Sequence, residues 1–210
     1  MGPVVIDHPL AAHHLLTLRD ASTPPPAFRA ALERLTYLLV YEATRDLSTA
    51  DRTVTTPLGT VAGRAIGGRV GIVPILRAGL GMVEPVLAVL PEAEVWHLGL
   101  YRDERTLEPV EYYQKLPASD PVDVALVLDP MLATGGSADA ALAVVKRWGV
   151  ERVKLLCVIA APEGVARVSE RHGDTQLYVI AIDSHLNADG YIVPGLGDAG
   201  DRTFNAKAAS

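Results

Sequence analysis

From Arg69 onward, apolar runs and helix-length runs take turns. VGIVPIL leads to a helical stretch from Gly79 to Leu90, then VWHLGLY and VALVLD; a second helical stretch spans Gly136 to Trp148. VKLLCVIAA, a third helical stretch from Pro162 to His172, and QLYVIAID complete the series. A strand with one wet face alternates polar and apolar residues. These are near-continuous Val, Ile and Leu, so both faces are expected to be buried. Buried strands alternating with helices predict a central, mostly parallel sheet flanked by helices, an α/β fold. In such sheets ligands bind beyond the carboxyl ends of the strands. The loops after Leu76, Tyr101, Asp129, Ala161 and Asp183 are therefore the first candidates for chemistry.

Before Arg69 the pattern is different. Leu10 to Arg19 is expected to be helical, and Thr23 ahead of Pro24, Pro25 and Pro26 reads as the cap and first turn of a longer helix. Phe28, Leu32, Leu35 and Leu39 step by three or four and give that helix an apolar stripe to about Asp46. Residues 52 to 66, with Pro57 to Gly59 at the turn, predict a hairpin. With 210 residues, the chain is expected to form one domain, 1–210, with a frayed small-residue tail from Ala206 to Ser210.

Several classes of function are disfavoured. No run approaches the ~18 apolar residues of a membrane helix. The start MGPVVIDHP has no basic or apolar leader, and Ile6 sits where a myristoylation signal wants Ser or Thr, so a cytoplasmic place is expected. A net charge of -6 argues against a nucleic-acid surface. Cys157, the one cysteine, lies in the apolar run Val153 to Ala161 and reads as a small buried residue. Six histidines make no HExxH pair, and His13 and His14 point to different helix faces, so a histidine metal site is not expected.

The stretch LVLDPMLATGGSADAAL, residues 126 to 142, is more telling. A buried strand ends at Asp129, and a helix is expected to begin near Thr134 to Ser137, its first turn facing the ligand crevice. There the amides of Ala133 to Ser137 lack partners and the helix dipole adds positive charge. Glycines let a ligand approach closely, and Thr134 and Ser137 add hydroxyls. The arrangement suits a phosphate monoester without any lysine. Asp129 suits sugar hydroxyls, which donate to a carboxylate. The plainer alternative is an ordinary helix cap. A Walker loop is excluded, because GxxxxGK[ST] does not occur.

VLDPMLATGGS resembles the phosphoribosyl pyrophosphate (PRPP) loop of type I phosphoribosyltransferases, in the form found in the uracil phosphoribosyltransferase family. Most relatives carry two adjacent acids there; Pro130 after Asp129 departs from that pattern and matches the uracil branch. VPILRAGLGM (73 to 82), YRDERTLEPVEYYQKL (101 to 116) and GYIVPGLGDAGDR (190 to 202) agree, as do HPL (8 to 10) and YEATRDL (41 to 47). The resemblance covers nearly the whole chain.

The resemblance implies a type I phosphoribosyltransferase fold with a protruding hairpin arm (101–116) and a C-terminal base-binding loop (190–202). It implies a PRPP site of Asp129, Pro130, Met131, Leu132, Ala133, Thr134, Gly135, Gly136 and Ser137, with Arg77, Ala78, Gly79 and Arg102 on the diphosphate. Ile192, Gly197 and Ala199 are implied to read uracil by backbone groups. Asp198 is implied to orient PRPP and its Mg2+ through water, with no direct protein ligand to the metal. Asp129, Arg102 and Asp198 are the residues expected to bear on catalysis. The arm is expected to close over PRPP; a solvated or subunit-contacting hairpin is its alternative, as a surface arginine is for Arg77 and a structural turn for the C-terminal loop.

GLGDAG (195 to 200) spells GxGxxG, yet a Rossmann site is rejected: no helix-length apolar pattern follows and ten residues remain. The expected reaction is uracil plus PRPP giving UMP and pyrophosphate. A homodimer or larger assembly is expected, and GTP is a candidate effector, as in some relatives. The rivals are a pyrimidine-responsive RNA-binding regulator on the same fold and a transferase for another base. The charge of -6 and the GLGDAGDR loop count against the first, and Pro130 counts against the second.

Overall fold

The computed structural model describes residues 2–102, 109–114, 116–117 and 119–206. In chain order the first elements are β1 (Val4–Val5), α1 (Pro9–Arg19), α2 (Pro25–Ala43), β2 (Thr49–Thr56), β3 (Gly59–Ile66) and β4 (Val70–Leu76). A 3-10 turn (Ala78–Met82) leads to α3 (Val83–Val89), β5 (Glu94–Val95), β6 (Leu98–Arg102), β7 (Pro109–Gln114), β8 (Val124–Leu128) and β9 (Met131–Leu132). α4 (Gly136–Trp148), β10 (Arg152–Ala160), α5 (Pro162–Arg171) and β11 (Gln176–Ile182) follow. The last are β12 (His185–Leu186), β13 (Ile192–Val193) and α6 (Ala199–Phe204).

The main sheet runs β1-β11-β10-β8-β4-β6-β7, with β5 beside β4 and β9 beside β10. Every pairing is parallel except that of β6 with β7. Strand residues of opposite parity feed two separate cores, which is why the runs show no polar alternation. Ile72, Leu126, Leu128, Leu156 and Val158 pack with Phe28, Leu32, Leu35 and Leu39 of α2 on one face. Val73, Val127, Leu155, Cys157 and Val179 pack with Ala141, Leu142 and Val145 of α4 and Val168 of α5 on the other. The expected α/β layering is therefore present, and the stripe read from α2 is the one that is buried. Among the described residues no helix is long and apolar enough to cross a membrane.

Local departures have identifiable causes. The cap of α2 is Pro24, not Thr23, whose hydroxyl donates to the Thr17 carbonyl (2.7 Å) and ties α2 back to α1 instead. The stretch from Gly79 to Leu90 is a 3-10 turn followed by α3 rather than one helix. At Gly79 an added Cβ would fall 2.4 Å from the Leu128 carbonyl oxygen, so that turn sits directly on the end of β8. β2 and β3 form the expected hairpin, three residues longer at its start, as an exposed two-stranded sheet.

After β4 the chain moves outward to β6, then returns to the other flank of β4 for β8, β10 and β11. The order reverses between β4 and β8, and a crevice opens beyond their carboxyl ends. Arg77 and Asp129 directly follow those two strands.

Candidate active site

The segment after β8 reaches its helix at Gly136, within the expected Thr134 to Ser137, but it is not a free loop on the way. Pro130 is buried, and β9 continues alongside β10, pairing Met131 with Ile159 and Leu132 with Ala160. The Pro130 carbonyl accepts from the amides of Val158 (3.0 Å) and Ile159 (3.1 Å). This second short pairing holds both ends of the loop on the sheet, so Ala133 to Gly135 turn from a fixed base. Gly135 caps α4 with φ 78°, ψ 0°, a left-handed conformation that favours glycine. The Asp139 amide donates to the Gly135 carbonyl (2.8 Å). The helical amides preceding Asp139 thus have no acceptor within the helix; that of Gly136 donates to Thr134 Oγ1 (3.4 Å), and those of Ser137 and Ala138 are available to an anion.

Above this turn lies a cleft of about 280 Å3 lined by Asp129, Met131, Leu132, Ala133, Thr134, Gly135, Gly136, Ser137 and Ala138 from one side. Gly190, Tyr191, Ile192 and Asp198 line the other. Ten residues expected at the site therefore meet in one cavity, although 53 positions separate Ser137 from Gly190. Ala138, Gly190 and Tyr191 were not singled out in the sequence. Tyr191 stands inside the GYIVPGLGD stretch, where an aromatic residue amid glycines is the sequence signal that could have found it.

The carboxyl-terminal segment is an irregular loop with a short helix at its end. Asp198 caps α6, its carboxylate accepting from the Asp201 amide (2.8 Å). Sequence periodicity missed α6 because six residues carry less than two turns of pattern. Ala199 begins that helix, so its amide is free of an intrahelical acceptor; Gly197 is exposed with φ 78°. Neither residue lines the cleft itself.

Arg77 and Ala78 lie beside this loop rather than in the cleft wall. The Arg77 guanidinium pairs with Asp201 (Nη2 to Oδ1, 3.0 Å) and is 59% exposed, and a Cβ added at Gly200 would lie 3.9 Å from Ala78 Cβ. Gly79 is buried against Leu128, so its glycine has a packing reason independent of any ligand. Arg102 ends β6, where it faces Pro109 in register. Its side chain, and residues 103–108 and 115 of the 101–116 arm, lie outside the described residues.

Asp129 has the most perturbed carboxyl of the cleft. Burial in the mouth of the sheet, with the charge of Asp198 added, outweighs the amide of Met131 (3.4 Å) and pushes it up to about 7. The carboxylates that line the cleft are these two, and among the described residues no cluster of three or more His, Cys, Asp or Glu is placed to hold an ion. Such a donor set fits a divalent cation that brings most of its ligands with a phosphorylated substrate.

A mostly parallel sheet flanked by helices, with its switch point between β4 and β8, is the type I phosphoribosyltransferase fold. The adenine phosphoribosyltransferase of Rhodothermus marinus shares this fold at 18% identity, with a TM-score of 0.52 over 72% of this chain and 80% of its own. A structure of the AQ2163 protein of Aquifex aeolicus is closer, with a TM-score of 0.92 and 39% identity over 98% of this chain and 99% of that one. The uracil phosphoribosyltransferase family model matches residues 5–206. The uracil phosphoribosyltransferase of Roseiflexus sp. strain RS-1 is 58% identical over 205 residues, 97% of this chain and 99% of the relative. The chain belongs to the uracil phosphoribosyltransferase family.

Proposed function

We propose that the protein joins uracil to the phosphoribosyl group of PRPP, releasing pyrophosphate and forming UMP. Family membership supplies the reaction class, and the single structural observation that supports it best is the shared cleft. There the amides at the start of α4 and the Asp129 carboxyl face Gly190, Tyr191, Ile192 and Asp198 of the carboxyl-terminal loop. A phosphate, a ribose and a planar base need those three surfaces in that order.

In this reading Thr134 to Ser137 grip the 5'-phosphate through amides and hydroxyls, far from the bond that changes. Asp129 accepts from the ribose hydroxyls, and its carboxylate favours positive charge building on the ring as the diphosphate leaves. Arg77, with the amides of Ala78 and Gly79, holds the diphosphate, and Arg102 joins it by the family resemblance. Backbone groups of Ile192, Gly197 and Ala199 pair with the two carbonyls and the N-H of uracil, bringing its N1 to the anomeric carbon for an inverting displacement. Held this way, the reactants need positioning and charge stabilisation rather than a protein nucleophile.

Asp198 would hold Mg2+ through water, with Asp129 close by, and PRPP would supply the other ligands. When bound, the ion neutralises the leaving diphosphate. By the same resemblance the protein works in the cytoplasm as a homodimer or larger assembly, with GTP as a candidate effector. The test is UMP formation from labelled uracil, with and without PRPP and Mg2+, beside filter binding of pyrimidine leader RNA. Product that requires all three small molecules supports the proposal. RNA retention without product would replace it with the regulator.

A further inference from the structure

Residues 190–202 carry base recognition in the reading above, yet they form little regular structure. Their fixed shape must come from elsewhere. Asp183, the first residue past β11, has a side chain only 4% exposed, and the Arg19 guanidinium at the end of α1 meets it as a fork (Nη1 to Oδ2 2.8 Å, Nη2 to Oδ1 2.5 Å). Both partners also hold the backbone of one loop residue. The Gly195 amide donates to Asp183 Oδ2 (2.9 Å), and Arg19 Nη1 donates to the Gly195 carbonyl (2.8 Å). Gly195 lies at φ 64°, and a Cβ there would fall 2.1 Å from the Ile192 carbonyl oxygen, so the chain is folded tightly back at this point. Arg202 adds a second clip on the same end of α1. It donates to the carbonyls of Leu18, Asp20 (2.6 Å) and Leu196 (2.7 Å).

We infer that the Arg19–Asp183 pair is the positioning element of the base-binding loop, setting uracil affinity and base choice without touching the substrate. Neither residue lines the cleft. A base read by backbone groups is read only as well as the backbone is held, and a planar fork grips a carboxylate and a carbonyl together, as a lysine cannot. The inference rests on the proposed uracil-binding role of this loop.

Two variants test it. Asp183→Asn keeps the shape and removes the charge, and Arg19→Lys keeps the charge and removes the fork. Each is expected to raise the uracil KM at least tenfold, while the PRPP dissociation constant, measured by calorimetry without uracil, rises by several-fold less, because Asp198 is the one PRPP contact that lies in this loop. Hydrogen exchange supplies a readout independent of activity. Amides 195–202 should exchange at least tenfold faster in both variants, with those of β8 and α4 unchanged. An unchanged uracil KM, an equal loss of PRPP binding, or faster exchange across the whole chain would each overturn the positioning role. If wild-type protein made no UMP, the functional reading would fail, while the exchange data would still decide whether the pair holds the loop.

Discussion

Replacing Asp129 with asparagine should make the free protein more stable at neutral pH while destroying its use of PRPP. The carboxyl is pushed up to about 7 in the folded chain, against an ordinary value of 3.8 when unfolded. Between those pH values the folded state holds a proton that the unfolded state has lost. Unfolding free energy therefore falls as pH rises from 3.8 to 7, and the loss is complete above 7. At about 1.4 kcal/mol per pH unit the penalty is about 4 kcal/mol. Asparagine removes the charge and keeps the shape. Asp129→Asn should thus melt close to wild type at pH 4 and higher at pH 8, by roughly 10 °C at the 2–4 °C per kcal/mol typical of this size. The same carboxyl should make PRPP binding weaken as pH falls below 7, because ribose hydroxyls are donors and need the ionised form. Thermal melts at pH 4 and pH 8 without ligand, paired with PRPP calorimetry across pH 5.5 to 8.5, check both halves. An Asp129→Asn protein no more stable than wild type at pH 8 would refute the reasoning.

Other perturbations probe the supports of the cleft. At Gly135 an added Cβ would point toward α5, 3.2 Å from the Gly164 carbonyl oxygen and 3.3 Å from Arg167 Cβ, rather than toward the phosphate. Gly135→Ala should therefore act by displacing the loop. We expect about 1–2 kcal/mol of lost stability from the left-handed backbone and a PRPP dissociation constant raised at least tenfold, read by melting and calorimetry. Asp139, on the first turn of α4, is held below the usual carboxylate range despite its burial, by hydrogen bonds from His172 and Arg167 and by the charges of Arg171 and Arg167. Its stabilisation is present above the unfolded value and is lost as pH falls through the lowered folded value, so Asp139→Asn should be less stable than wild type at pH 7, with the gap closing progressively below the unfolded value, in chemical denaturation. Chelation of Mg2+ should abolish PRPP binding, whereas calorimetry with the ion alone should show only weak, millimolar uptake, since no cluster of three ligands is present among the described residues.

Much of the fold is legible because its signals are local. The runs VALVL and VKLLCVIAA announce strands buried on both faces, and the spacing of Phe28, Leu32, Leu35 and Leu39 names the buried side of α2. The Asp129–Ser137 stretch is legible for the same reason: strand, acid, glycines and helix start are consecutive. What local reading misses are pairings made late or far away. β9 is two residues long and exists only because β10 extends beside it. The Arg19–Asp183 fork joins positions 164 apart in sequence, and no periodicity reports such a contact. The direction of the Gly135 Cβ depends on where α5 packs, which the glycine itself does not reveal.

The central claim is that backbone groups on a fixed loop read the base. Cytosine presents an amino donor where uracil has a carbonyl, and an acceptor at ring N3 where uracil has N-H. Two buried groups then go unpaired at about 1–3 kcal/mol each. A fluorine at C5 touches none of the three pairing atoms. The decisive measurement is kcat/KM for uracil, 5-fluorouracil and cytosine at fixed PRPP and Mg2+. The account predicts 5-fluorouracil near uracil and cytosine lower by about a thousandfold, at about 1.4 kcal/mol per decade; cytosine within tenfold of uracil would contradict it.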